Sequence, residues 1–151
     1  METRLNPYLN FKSNARQAME FFKSVFGGKL KMSTFKEYHA SQTPEGDDLI
    51  MHAELNAGEG LLFMASDTPA RMEFHPGTNM SMSLTGEKEA ELKTYFQKLS
   101  AGGKVSMPLE KAIWGDTFGM CMDKFGVSWM VNITAPKTEQ SQGMQASMSG
   151  H

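Results

Sequence analysis

One cysteine, Cys121, is present among 151 residues. That excludes an internal disulfide and any metal site built on a cysteine cluster. Long hydrophobic runs are also missing. Nothing approaches the roughly 20 apolar residues that a membrane-spanning helix requires, and the opening METRLNPYLNF holds no apolar run of signal length. A cytoplasmic protein without a membrane partner is expected. Basic excess is absent as well: 15 Lys and Arg stand against 17 Asp and Glu, a net charge of −2. No basic cluster tracks a phosphate backbone, so nucleic acid is not an expected partner.

What the chain does have is apolar content, 40% of residues against 21% charged, enough for one ordinary domain or two small fused modules. Its 14 methionines are conspicuous. Met51, Met64, Met80, Met82, Met120, Met122 and Met130 fall where strands are expected, and unbranched thioethers suit cores or pockets that adapt their shape. Core filling is the expectation. Cys121, inside the apolar run GMCMD, reads as a buried thiol rather than a nucleophile.

The order of elements repeats. Leu5 to Phe11 is a candidate strand, with Pro7 favouring its start or an edge. A helix then begins at Ser13-Asn14, where Gln17 completes a capping-box pattern, and continues through Ala18, Phe22, Val25 and Phe26 at helical spacing. Gly27-Gly28 ends it, since glycine takes a left-handed C-terminal conformation at little cost. Strands are expected at Lys29 to Glu37, Leu49 to Asn56 and Gly60 to Ser66, with a loop from His39 to Asp48 and a connector from Asp67 to Gly77. The pattern restarts with a strand at Thr78 to Leu84 and a helix at Glu87 to Leu99. Gly102-Gly103 closes that helix, and strands follow at Lys104 to Leu109, Asp116 to Met122 and Val127 to Ile133. Residues 1–136 thus form two modules, 1–70 and 71–136, while 137–151 is a Ser-, Gln- and Gly-rich tail expected to be disordered. One-faced sheets of this kind can enclose a cleft when paired.

A tandem strand-helix-three-strand repeat resembles the vicinal oxygen chelate superfamily, which includes glyoxalase I, extradiol dioxygenases and bleomycin-resistance proteins. PYLNF with AMEFFKSVFGG, MHAEL, GLLFMASD and WGDTFGMCMDKFGVSWMVN together resemble its PhnB-like branch, over about residues 3 to 135. The resemblance implies an α+β glyoxalase-like fold, with tandem βαβββ modules forming paired four-stranded mixed sheets around a cleft. It also implies a homodimer. A demethylubiquinone methyltransferase label is common in this branch, but no glycine-rich strand-to-helix loop opens a doubly wound sheet here.

In the metal-dependent relatives, four side chains from the first and last strands of both modules hold one divalent ion, using imidazole or carboxylate donors. Carried over, these positions fall at Pro7, at Phe63 or Met64, at Asn79 and at Met130. None supplies such a donor, so neither this metal nor another cofactor is expected. His52 and Glu54, two apart in a strand, share a face; they read as solvent-facing or cleft-lining groups, with metal ligation as the alternative. His39 and His75 sit in loops and His151 in the tail, where solvation is expected. Asp123, in DKFG, reads as a turn former.

The cleft implied by the resemblance would be lined by Leu9, His52, Glu54, Phe63, Asn79, Ser81, Ser83, Trp114, Met130 and Asn132. Such a mostly apolar lining, with a few hydroxyls and amides, suits a neutral or aromatic small organic molecule. Ser81 and Ser83, alternating with Met80 and Met82, equally fit a half-solvated strand. The expected function is small-molecule binding without an assigned reaction. Its alternatives are a metal-dependent lyase or dioxygenase and a sequestering dimer of the bleomycin-resistance kind.

Overall fold

A computed structural model describes residues 3–41, 44–58, 60–69 and 72–136; the expected tail, 137–151, lies outside them. The chain divides into two compact units at Gly77–Thr78, a little beyond the 70/71 boundary drawn from the sequence.

In the first unit the order is β1 (Tyr8–Phe11), α1 (Ala15–Phe26), β2 (Lys29–Thr34), β3 (Ile50–Asn56) and β4 (Leu62–Asp67). A short 3-10 turn at Pro44–Gly46 interrupts the loop between β2 and β3. The sheet order is β1-β4-β3-β2, with β1 parallel to β4 and the other pairs antiparallel. The first strand is shorter than expected because Pro7 has no N–H for the ladder; its carbonyl instead accepts the Met64 amide at 3.1 Å.

α1 buries Ala15, Ala18, Met19, Phe22, Val25 and Phe26 along one stripe, set by the 3.6-residue period. That stripe covers the sheet face carrying the buried Ala53, Leu55, Phe63 and Ala65. Phe63 meets Phe22 and Phe26 in edge-to-face contacts at 5.5 and 6.0 Å between ring centroids, a geometry that aligns ring edges with ring faces. The helix start differs from the capping-box reading. Asn14 occupies the N-cap position but its side chain makes no capping bond. Asp67, assigned from sequence to a connector, is 2% exposed and accepts the Ala15 amide at 2.9 Å and the Ile50 amide at 2.8 Å.

The second unit repeats the plan with β5 (Met82–Gly86), α2 (Glu89–Ser100), β6 (Lys104–Lys111), β7 (Thr117–Met122) and β8 (Ser128–Ile133). Its sheet order, β5-β8-β7-β6, again pairs the first and last strands in parallel. α2 buries Leu92, Phe96 and Leu99 on the side of the sheet that carries Cys121, Trp129, Val131 and Ile133, all buried. β5 is one edge strand and β6 the other. Its pairing with β7 slips between Met107 and Glu110, where Pro108 withholds an amide hydrogen.

Each glycine pair does the same work in its unit. Gly27 and Gly102 adopt positive φ of 76° and 77°, which non-glycine residues reach at a cost. The second glycine lies against a hairpin turn: a Cβ on Gly28 would overlap the Asn56 carbonyl, and one on Gly103 the Met122 carbonyl.

The methionine expectation is overturned. Met51, Met64, Met82, Met120 and Met130 are half-buried, Met80 and Met122 are exposed, and Met19 is the methionine in the described core. Strand alternation gives the α-facing positions to Phe63, Cys121, Trp129 and their neighbours, leaving Met64, Met120, Met122 and Met130 on the opposite faces; Met82 instead pairs with the buried Trp129 at the start of β5, and Met80 precedes that strand.

Candidate functional site

Each sheet presents a face that its own helix does not cover. On the first sheet this face is polar. Tyr8 pairs with Met64, Met64 with Glu54 and Glu54 with Lys31, forming one row across β1, β4, β3 and β2. His52, two residues before Glu54, shares the face. Its ring lies 6.0 Å from that of Tyr8, whose hydroxyl is 3.5 Å from Nδ1, at the long limit of a hydrogen bond. His52 and Glu54 are both half-buried. Two expected lining residues are not on this face. Leu9 pairs with the buried Ala65, and Phe63 is packed under α1; the period-2 alternation puts them on the helix side.

On the second sheet the uncovered face is richer. One row runs Ser83, Met130, Met120 and Met107 across β5, β8, β7 and β6; the next runs Thr85, Asn132, Phe118 and Glu110. Trp114, in the loop before β7, stands edge-on to Phe118 at 5.7 Å between centroids. Asn132 Nδ2 donates to Asp116 Oδ2 at 3.0 Å, and Asp116 Oδ1 accepts the Ala135 amide at 2.9 Å. Both carboxylate oxygens are therefore engaged, and the Asn132 amide is held in one orientation. Its carbonyl oxygen and second N–H are what it can offer a ligand. Ser83, Trp114, Met130 and Asn132 of the expected lining are thus brought together, in two adjacent rows and the loop beside them. Asn79 and Ser81 are not. They precede β5, which begins at Met82, and both are exposed. The expected lining omits Phe118 and Met107, and Met120 is expected from sequence to fill a core, although alternation alone would place Phe118 and Met120 on one face.

The opposite side of this sheet is closed. Cys121 is 2% exposed, and burial, with the Asp123 charge adding to it, pushes its thiol up to about 11. It is an unreactive thiol at neutral pH. Asp123 is a turn former: Oδ1 accepts the Phe125 and Val127 amides at 2.8 and 3.1 Å, and Oδ2 accepts Trp129 Nε1–H at 2.8 Å. Burial raises its pKa, against the lowering effect of those hydrogen bonds.

The divalent metal of the superfamily does not fit these residues. Met64 and Met130 offer thioethers, while Pro7 and Asn79 offer no imidazole or carboxylate. Among the described residues no three His, Cys, Asp or Glu side chains converge to hold an ion. His39 is exposed. His75 is exposed too and is paired with Glu73 at 2.8 Å.

Two units of βαβββ order, each a four-stranded mixed sheet backed by one helix, define a glyoxalase-like protein. The family model described as 3-demethylubiquinone-9 3-methyltransferase matches residues 3–132. A crystal structure of protein PA1353 from Pseudomonas aeruginosa is 34% identical, covers 89% of this chain and all of its own, and superposes with a TM-score of 0.76. A PhnB protein from Bacillus cereus is 30% identical over 87% of this chain and all of its own, with a TM-score of 0.71. Protein YjdN of Escherichia coli K12 is 28% identical, spanning 90% of this chain and 99% of its own. The chain belongs to the 3-demethylubiquinone-9 3-methyltransferase family, and with it to the PhnB-like branch of the vicinal oxygen chelate superfamily.

Proposed function

We propose that the protein binds a small neutral or aromatic organic molecule on the uncovered face of the β5-β8-β7-β6 sheet. The observation that carries this reading is the grouping of Trp114 and Phe118 beside the Asp116-anchored amide of Asn132. Flat aromatic walls supply contact area, adaptable thioethers at Met120 and Met130 fit around the ligand, and one oriented amide selects its hydrogen-bonding edge. Ser83 and Thr85 add hydroxyls along the same rows. In the first unit, Tyr8, His52 and Glu54 form a second polar group that could serve the same ligand class.

Methyl transfer is not the reading these residues favour. Neither sheet has the all-parallel, doubly wound order whose glycine-rich turn binds a nucleotide-type cofactor. Among the described residues no helix is long and apolar enough to cross a membrane. A cytoplasmic location and a homodimer are part of the proposal, the dimer supported by the edge strand β6, whose outer edge has no partner strand in its sheet.

The test is a fluorescence titration with a library of neutral aromatic fragments. Trp129 is buried while Trp114 is half-buried, so a ligand on this face quenches Trp114. Saturable quenching in the wild type, weakened at least tenfold by Asn132→Ala, is the expected result, and calorimetric titration of Trp114→Ala, which lacks the reporter, should show a comparable loss of binding. Binding that survives both substitutions, or no binding at all, overturns the proposal.

A further inference from the structure

The donor set that rejects a hard divalent ion has a different preference of its own. We propose that Met107, Met120 and Met130 form a binding site for a soft monovalent metal ion, Cu(I) or Ag(I).

The register brings the three side chains together. Met120 on β7 is the direct cross-strand partner of Met130 on β8, in an unbroken ladder, and of Met107 on β6, which lies between two shifts of register. Regular cross-strand partners such as Met120 and Met130 hold their Cβ atoms about 4.5–5.5 Å apart, and the extra residues of β6 on either side of Met107 lie outside that regular ladder. Each methionine then has three rotatable bonds with which to bring its sulfur over the central residue. All three belong to the face that α2 does not cover. Met120 and Met130 are half-buried and Met107 is 47% exposed, so an ion could enter from solvent and still be partly shielded.

The chemistry is selective. Thioethers are soft, uncharged donors that favour Cu(I) over Zn, Mn or Mg, which want imidazole or oxygen. Surrounding charge fixes where the site is centred. Met122 is on the same face but pairs with Lys104, whose cation disfavours a metal beside it. The row on the other side of Met120 carries Glu110 opposite Phe118, and Asp116 beyond it through Asn132. Those carboxylates favour a positive charge at Met120. The thiol of Cys121 is buried on the other side of the sheet and takes no part. This site shares Met120 and Met130 with the organic-ligand reading but does not rest on it.

The experiment is an anaerobic titration of the full chain with Cu(I), in competition with a colorimetric Cu(I) chelator, alongside native mass spectrometry with Ag(I). One ion per chain is expected for each metal, with no competition from Zn(II) or Mn(II). Met120→Leu and Met130→Leu should each weaken uptake at least tenfold. Leucine conserves volume at these positions, so thermal melting should be nearly unchanged and loss of fold is separable from loss of ligands. Cys121→Ala, with Cys121→Ser as a second thiol-free variant, should retain uptake, as should the doubly substituted Met144→Leu/Met148→Leu chain. Three outcomes would overturn the site: no stoichiometric ion in the wild type, uptake persisting in Met120→Leu/Met130→Leu, or uptake lost with the thiol or with Met144 and Met148. The fragment titration on Trp114 reads the organic ligand separately, so either proposal can fail alone.

Discussion

The Asp67 carboxylate, at the end of β4, accepts the Ala15 amide at the head of α1 at 2.9 Å, across 52 positions of chain. Its other oxygen accepts the amide of Ile50, the first residue of β3. One buried side chain thus ties the start of the helix to two strands. The helix dipole favours an anion at that end, and both amides would otherwise be unsatisfied donors.

Asp67→Ala should therefore cost about 1–3 kcal/mol for each of the two amides left without a partner. Asp67→Asn, which keeps one acceptor oxygen, should lose less. Urea denaturation followed by circular dichroism measures both. A loss of under about 0.5 kcal/mol in Asp67→Ala, the range of an ordinary surface substitution, would show that the bridge contributes little.

The two glycines of each pair should respond differently to a methyl group. A Cβ on Gly27 meets nothing within 4 Å, whereas one on Gly28 runs into the backbone of Asn56 and Ala57. Gly27→Ala should cost about 1–3 kcal/mol, from its positive-φ extended conformation (φ 76°, ψ −158°) alone. Gly28→Ala carries a comparable conformational cost at φ 90° and must also displace the hairpin, so its melting temperature should fall further. Equal effects at the two positions would mean that the hairpin yields freely.

Asp123 makes the stability depend on pH. Burial raises its folded pKa above the value of about 3.9 in an unfolded chain. The folded state then holds the proton more tightly, so this residue contributes most below about pH 4 and progressively less as pH climbs through the folded pKa. Asp123→Asn removes that titration and leaves Trp129 Nε1–H facing an amide. The variant should be less stable than the wild type by about 1–3 kcal/mol, with the deficit larger at acid pH than at pH 7. Chemical denaturation at the two pH values gives the comparison, and a deficit that grows toward neutral pH would reverse the assignment.

Much of this molecule is legible in its sequence, and for local reasons. The stripe Ala18, Phe22, Val25 and Phe26 repeats every turn of a helix, the alternation in LFMASD repeats every two residues of a strand, and a glycine pair marks each helix end. These periods belong to short stretches of backbone, so the helices, the strands and the doubled βαβββ order could be read without the fold. The turn role of Asp123 was legible too, because the four residues DKFG contain the whole hairpin signal.

Only the tertiary structure decided which residues meet. Asp67 was assigned to a connector because its partners, Ala15 and Ile50, lie 52 and 17 positions away. Leu9 and Phe63 were assigned to a cleft because a register error of one residue turns a side chain to the other face, and Asn79 and Ser81 to a strand whose first residue is Met82. The parallel pairing of β1 with β4 and the start of β5 at Met82 decide these positions, and no local pattern announces either. The alignment of Met107, Met120 and Met130 is the same kind of fact. Each methionine is an ordinary strand residue in the sequence, and hydrogen bonding between three strands makes the row.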